Sequence, residues 1–265
     1  MGKDGEGKDV PTLFEMAHKA GLKTGVATTC DIQDATPAAF VAHITDRNKW
    51  EDISEQYLDA PIDFAFGGGR KPFHDREDGL NLFDSLSARN TQVITTWEDL
   101  EKTSTDRVFA LLAEREPLRA GEREENFLES GVMAAINHLK RSNEGFILMV
   151  EGSQIDHGGH FNNTSYINRE MLDFDKVIGK VLDFAEADGE TLVIVTADHK
   201  TGGYAIVDHD MAEGRVDGKF TTKNHSGEMV PVFSAGPGAE HFTGIIDNTD
   251  IHFGMVELLD IERSL

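Results

Sequence analysis

Between Val150 and His160 the chain reads "VEGSQIDHGGH", directly behind the apolar run "GFILMV". Two further clusters follow: "TADH", with Asp198 and His199, and "NHSGE", with His225. Carboxylate mixed with imidazole suits zinc, or zinc together with magnesium, better than calcium, which takes oxygen ligands alone. Asp156 and His160 are spaced so that a helical turn puts them on one face. Asp198 and His199 are adjacent at the end of an apolar run, where a tight bend could aim both at one ion. Each cluster also has an ordinary reading. His225 alone fits a solvated loop, and Asp198 with His199 fits a capping pair. The "DHGGH" stretch leans towards a metal site by itself, and the coincidence of all three favours a metal centre.

The elements that must position these residues alternate along the chain. "PTLFEMAHKAG" reads as a helix, with Pro11 in its first turn and Gly21 as its stop. "KTGVATTC", "IDFAFGGG", "TQVITT", "DRVFALLA" and "GFILMV" read as strands. "TPAAFVAHIT" reads as a helix started by Pro37, "SEQYLDA" as a short helix, and "GLNLFDSLSARN" and "NFLESGVMAAINHLKR" as longer ones. Apolar residues from 167 to 184 recur at helical spacing, which predicts one long helix over 165–186. "TLVIVTA" and "VPVFSAG" read as apolar strands, and "DIHFGMVELLDI" as a closing helix. This alternation predicts an α/β fold, a central and largely parallel sheet with helices on both faces, in a single domain over 1–265. Ligand sites in such sheets lie beyond the carboxyl ends of the strands, which is where "VEGSQIDHGGH" and "TADH" begin.

Composition bounds the partners. The chain has 265 residues, with 48 Asp and Glu against 25 Lys and Arg, for a formal charge of −23. Such a surface repels nucleic acid and anionic membranes. No apolar run approaches the roughly 18 residues of a membrane span. The opening "MGKDGEGKDV" does not read as a signal peptide. The single cysteine, Cys30, allows no disulfide within the chain and reads as a buried strand residue.

The segments "EGSQIDHGGH", "TADH", "HSGE" and "QDATPAAFVAHITDR" together resemble the motifs of the alkaline phosphatase family. The resemblance runs from "TLFEMAHKAGLKTG" to "NTDIHFGM", almost the whole chain. It implies the family's three-layer fold, with two zinc ions and one magnesium at the carboxyl end of the sheet. By that resemblance Asp156, His160 and His225 match ligands of the first zinc, and Asp198 and His199 two ligands of the second. Glu151 and Thr36 match two magnesium ligands, with Asp34 behind the metal and His157 near the phosphate through water. Arg47 matches the arginine that clamps two phosphate oxygens, a task for which a planar guanidinium is suited.

The family's nucleophilic serine lies in an Asp-Ser-Ala segment upstream of the region that matches Asp34, and no Asp-Ser-Ala occurs in this sequence. Ser85, in "FDSLSA", lies on the wrong side of Asp34 to take its place. An aspartate that bridges the second zinc and the magnesium in the family has no counterpart either. The chain therefore looks like the C-terminal two-thirds of such an enzyme, with a complete first zinc site and incomplete second zinc and magnesium sites. The expected function is metal-dependent hydrolysis of phosphate monoesters. The alternative is a non-catalytic metal- or phosphate-binding remnant, or one piece of a split enzyme. Sulfatases and phosphodiesterases share the superfamily's metal rim, but Arg47 and the three-metal ligand set favour monoesters. Homodimerisation and a periplasmic or extracellular location are implied by the resemblance alone.

Overall fold

A computed structural model describes residues 1–100 and 102–261, and these fall into two compact units. The first comprises Met1–Leu118 and Asn126–Glu151, with Ile261; the second comprises Arg119–Glu125 and Gly152–Asp260.

The first unit runs α1 (Leu13–Lys19), β1 (Lys23–Asp31), α2 (Ala35–Ala39), α3 (Trp50–Gln56), β2 (Phe64–Gly68) and α4 (Lys71–His74). It continues with α5 (Leu82–Ala88), β3 (Thr91–Ile94), α6 (Trp97–Leu100), β4 (Arg107–Leu111), α7 (Phe127–Leu139) and β5 (Phe146–Glu151). Its five strands form one sheet in the order β3-β4-β2-β1-β5, every pairing parallel. The central strands are apolar on both faces because helices flank them, as a parallel sheet requires. β1 is buried from Thr24 to Asp31, and β2 throughout. Glycines set how closely α7 approaches. A Cβ on Gly131 would fall 2.3 Å from the Phe66 ring, and one on Gly25 would fall 2.9 Å from Leu139. Tyr57, Phe73 and Phe109 meet at ring-centroid separations of 5.9 to 6.3 Å beneath the sheet's other helices.

Local chemistry shifts two helix boundaries from those the sequence predicts. Pro37 does not start α2. Asp34 caps that helix, its side chain accepting from the Ala35 N–H, and Pro37 is its third residue. α3 starts at Trp50 rather than Ser54, with Glu51 and Asp52 in the first turn, where the helix dipole favours acids.

The second unit holds α8 (Gln154–His160), α9 (Thr164–Asp188), β6 (Val193–Val195), β7 (Lys200–Thr201), β8 (Ala205–Asp210) and β9 (Arg215–Lys219). β10 (His225–Ser226), β11 (Phe233–Ala235), a 3-10 turn at Ala239–Phe242 and α10 (Asn248–Leu258) complete it. α9 is the predicted long helix. The Asn163 side chain caps it by accepting from the Tyr166 N–H, and Gly189 ends it at φ 76°. The 119–125 segment is fastened to α9 by a buried ion pair, Arg123 to Glu170 at 2.9 Å, and Glu170 also accepts from the Ala120 N–H at 2.7 Å. "TLVIVTA" and "VPVFSAG" depart from expectation. Their strands β6 and β11 are three residues each and pair with one another, antiparallel, rather than joining the parallel sheet. β7 with β10, and β8 with β9, form two further antiparallel pairs.

Candidate metal centre

Within the second unit α8 carries Asp156, His157 and His160, and β10 begins with His225. The paired glycines of "DHGGH" let this short helix sit tightly. A Cβ on Gly158 would fall 2.8 Å from the Ile167 backbone nitrogen at the start of α9, and one on Gly159 would fall 2.8 Å from Thr201 Cβ on β7. β7 pairs with β10, with Thr201 opposite His225. The glycine contacts thus bring α8 against the strand pair that presents His225.

The outcome is a convergent donor set. One ligand atom each from Asp156, His160 and His225 lie within 4.8 Å of one another. His160 Nε2 is 3.2 Å from both Asp156 Oδ2 and His225 Nε2, and His225 Nε2 is 3.6 Å from Asp156 Oδ1. His160 Nδ1 lies 2.6 Å from the Lys223 carbonyl, which can only accept. Nδ1 therefore carries a proton, and Nε2 is the nitrogen turned into the cluster. A backbone carbonyl that fixes the tautomer of a histidine in this way is a regular feature behind metal ligands. Two imidazoles and one carboxylate fit zinc in an open, three-ligand site.

His199 lies beside this set. Its ring stacks on His225 at 3.5 Å and 17°, and its Nδ1 is 4.0 Å from Asp156 Oδ1. The Thr201 hydroxyl donates to Asp156 and lies 3.2 Å from His199 Nδ1. Having given its hydrogen to Asp156, that hydroxyl accepts from Nδ1–H. His199 Nε2 faces Asp198 Oδ2 at 3.1 Å. The Asp198 side chain is well exposed, and its Oδ1 accepts from the His199 N–H, the tight bend expected at this position.

The other sequence candidates sit together within the first unit. Glu151 ends β5, and burial, its largest influence, raises its carboxyl above the ordinary carboxylate range. Hydrogen bonds from Thr28, Thr36 and Cys30 oppose that rise. Thr28 Oγ1 donates to Glu151 Oε2 at 2.7 Å. Thr36 stands on α2, behind the Asp34 cap. Arg47 donates from Nη2 to Asp34 Oδ1 at 2.6 Å, an arrangement that aims a half-exposed guanidinium. The oxygen donors of Glu151 and Thr36 suit a hard cation such as magnesium. Sequence reasoning missed three groups that hold the candidate ligands in place: Thr28, Thr201 and the Lys223 carbonyl. None lies in a recognisable motif.

A family model described as alkaline phosphatase matches residues 1–215. Alkaline phosphatase 4 of Bacillus subtilis (strain 168) is 30% identical, the match covering 94% of this chain and 70% of the relative. Alkaline phosphatase of Escherichia coli (strain K12) is 29% identical over 99% of this chain and 70% of its own length. The solved alkaline phosphatase of the Antarctic bacterium TAB5 superposes with a TM-score of 0.92 at 35% identity, covering 99% of this chain and 79% of that one. A variant of the TAB5 enzyme was solved with Mg bound in a site called M3.

Proposed function

The chain belongs to the alkaline phosphatase family, a family of phosphoric monoester hydrolases, and from that premise we propose how its residues serve the hydrolysis. Asp156, His160 and His225 hold one zinc, and His199 with Asp198 contributes to a second. Glu151 and Thr36 hold magnesium. The observation that carries this reading is the cluster of Asp156, His160 and His225 within 4.8 Å, with the His160 tautomer fixed by Lys223. Zinc supplies Lewis acidity and positive charge towards a phosphoryl group.

The protein's own groups bind and orient the ester. Arg47 offers two parallel N–H bonds to phosphate oxygens, and Asp34 keeps the guanidinium aimed. In a chain of net charge −23, such local cations are what make a dianionic ester approachable. Because charge in phosphoryl transfer spreads over the transferred oxygens, positioning and electrostatics carry most of the work. His157, on α8 between Asp156 and His160, would act near the phosphate through water, as the family relationship implies. The acidic surface argues against nucleic acid and anionic membranes as partners. Among the described residues, no helix is long and apolar enough to cross a membrane. Homodimerisation and a periplasmic or extracellular location rest on the family relationship.

The test is hydrolysis of p-nitrophenyl phosphate by the chain with zinc and magnesium present, then with a chelator, beside a His225→Ala variant. Turnover abolished by the chelator and by His225→Ala is the expected result. Hydrolysis that survives both would sink the metal reading. Tight zinc binding with no turnover would instead leave the chain a binding role.

A further inference from the structure

We propose that Thr28 is a positioning residue that holds Glu151 to one coordinating oxygen, and so sets this chain's preference for magnesium over calcium. The proposal rests on the reading of Glu151 as a magnesium ligand and goes beyond it to selectivity. Thr28 and Glu151 are direct Cα partners in the parallel pairing of β1 and β5, so the sheet register itself places the hydroxyl beside the carboxylate. Thr28 is fully buried. Its Oγ1 accepts from the Cys30 N–H at 3.2 Å, which directs its single hydrogen onto Glu151 Oε2 at 2.7 Å. Cys30 Sγ stands 3.4 Å from the same oxygen. Thr28 and Cys30 both stand at Oε2, and Thr36 also hydrogen-bonds the carboxylate.

The Thr28 side chain cannot readily turn away. On the adjacent strand, Gly67 leaves the space its methyl fills, since a Cβ there would lie 2.9 Å from Thr28 Cγ2. Each carboxylate oxygen has two lone-pair sites, but a buried hydroxyl donating to Oε2 takes one of them and crowds that side, so an ion is favoured at the other oxygen. Magnesium is small, demands near-octahedral geometry and takes carboxylates through single oxygens. Calcium is larger, takes six to eight oxygens and readily chelates a carboxylate through both. Occupying Oε2 therefore works against calcium.

The experiment compares the whole chain with Thr28→Val, which keeps the shape and loses the hydroxyl, and Thr28→Ser, which keeps the hydroxyl. Magnesium and calcium affinities are measured separately by titration calorimetry, and circular dichroism confirms folding. Removing a group that orients a metal ligand costs about 10–100-fold in affinity. The expected result is a fall of about tenfold in the magnesium-to-calcium affinity ratio for Thr28→Val, with Thr28→Ser close to the parent. Should the valine variant not fold, Thr28→Ala, which is smaller, takes its place under the same expectation. A merely structural role for Thr28 would weaken both ions alike, so an unchanged ratio in a folded valine or alanine variant overturns the proposal. Glu151→Gln separates the two layers of the argument. If it leaves magnesium binding intact, the ligand reading is wrong and the proposal falls with it. If it removes binding while the ratio in Thr28→Val holds, only the positioning role is refuted.

Discussion

Replacing Asp31 with asparagine should stabilise the protein at pH 8 and change little at pH 4. Asp31 closes β1, three residues before the Asp34 cap, and its side chain is 1% exposed. Neither of its oxygens receives a hydrogen bond of acceptable geometry. Arg115 Nε stands 2.9 Å from Oδ2, but the arginine is half in water and lies against the Trp50 ring at 3.7 Å. The pair is thus an ion pair in which the guanidinium is poorly aligned for a hydrogen bond and only partly offsets the burial. Burial is the largest influence on the carboxyl and lifts it from 3.8 to about 6, against the pull of Arg115.

A carboxyl whose folded pKa is raised binds its proton more tightly folded than unfolded, so ionisation costs folding free energy. The cost is small below about pH 4, grows between about 4 and 6, and is constant above. At about 1.4 kcal/mol per unit, a rise of roughly two units corresponds to about 3 kcal/mol as an upper bound. Water penetration and relaxation around Arg115 reduce this, and a gain of about 1–2 kcal/mol for Asp31→Asn at pH 8 is the expectation. Asparagine keeps the shape, and the arginine left behind can be solvated at little cost. Urea unfolding of parent and variant at both pH values, extrapolated to water, measures the difference. A variant less stable than the parent at pH 8, or equally displaced at both pH values, would refute the argument that an unmet buried charge is the dominant effect here.

Two further predictions concern packing and protonation. Gly159→Ala drives a methyl to within 3 Å of Thr201, the residue that donates to Asp156, so zinc affinity measured by calorimetry should fall about tenfold or more; unchanged affinity would show that α8 does not depend on this close approach. His43 has Nδ1 at 2.6 Å from the Gly2 carbonyl and Nε2 at 3.0 Å from Glu15 Oε1, so both nitrogens face acceptors and only imidazolium satisfies both. Burial, the largest influence, lowers its pKa, but Gly2, Glu15 and the nearby Asp9, itself bridged to Lys3, together raise it. That contribution is complete below the ordinary pKa of 6.5 and is lost as pH rises through the folded value. Hydrogen exchange should therefore show protection of the Val10 amide, which bonds to Gly2, falling on that rise, and His43→Gln should abolish the pH dependence.

The chemistry of this chain was more legible in the sequence than its strand pairing. Helical spacing predicted α9 over 165–186, and the helix runs Thr164–Asp188. Apolar runs located β1, β2 and β5, because parallel strands covered on both faces show no alternation. The same signal misplaced β6 and β11. An apolar run announces burial but carries no information about partner or direction. Pro37 misled in a similar way: its fixed φ suits any position in a first turn, and the cap came from Asp34, whose side chain can accept a backbone N–H.

The candidate ligands could be named because three clusters of carboxylate and imidazole coincide in one sequence and together match the motifs of one family. The groups that hold them could not, and the reason is physical. The atom that sets the His160 tautomer is the backbone carbonyl of Lys223, and every residue has one. Thr201 reaches Asp156, and Thr28 reaches Glu151, across strand registers or element contacts that exist only once the chain has folded. Gly158 and Gly159 are the intermediate case. They look like spacing within "DHGGH", yet a Cβ at either would collide with α9 or β7. The segment therefore encodes two requirements at once, the candidate ligands and the room to bring them together, and sequence pattern alone reveals only the first. It follows that substitutions at Gly158, Gly159 and Thr201, none of them a ligand, should alter metal affinity while leaving the donor set intact.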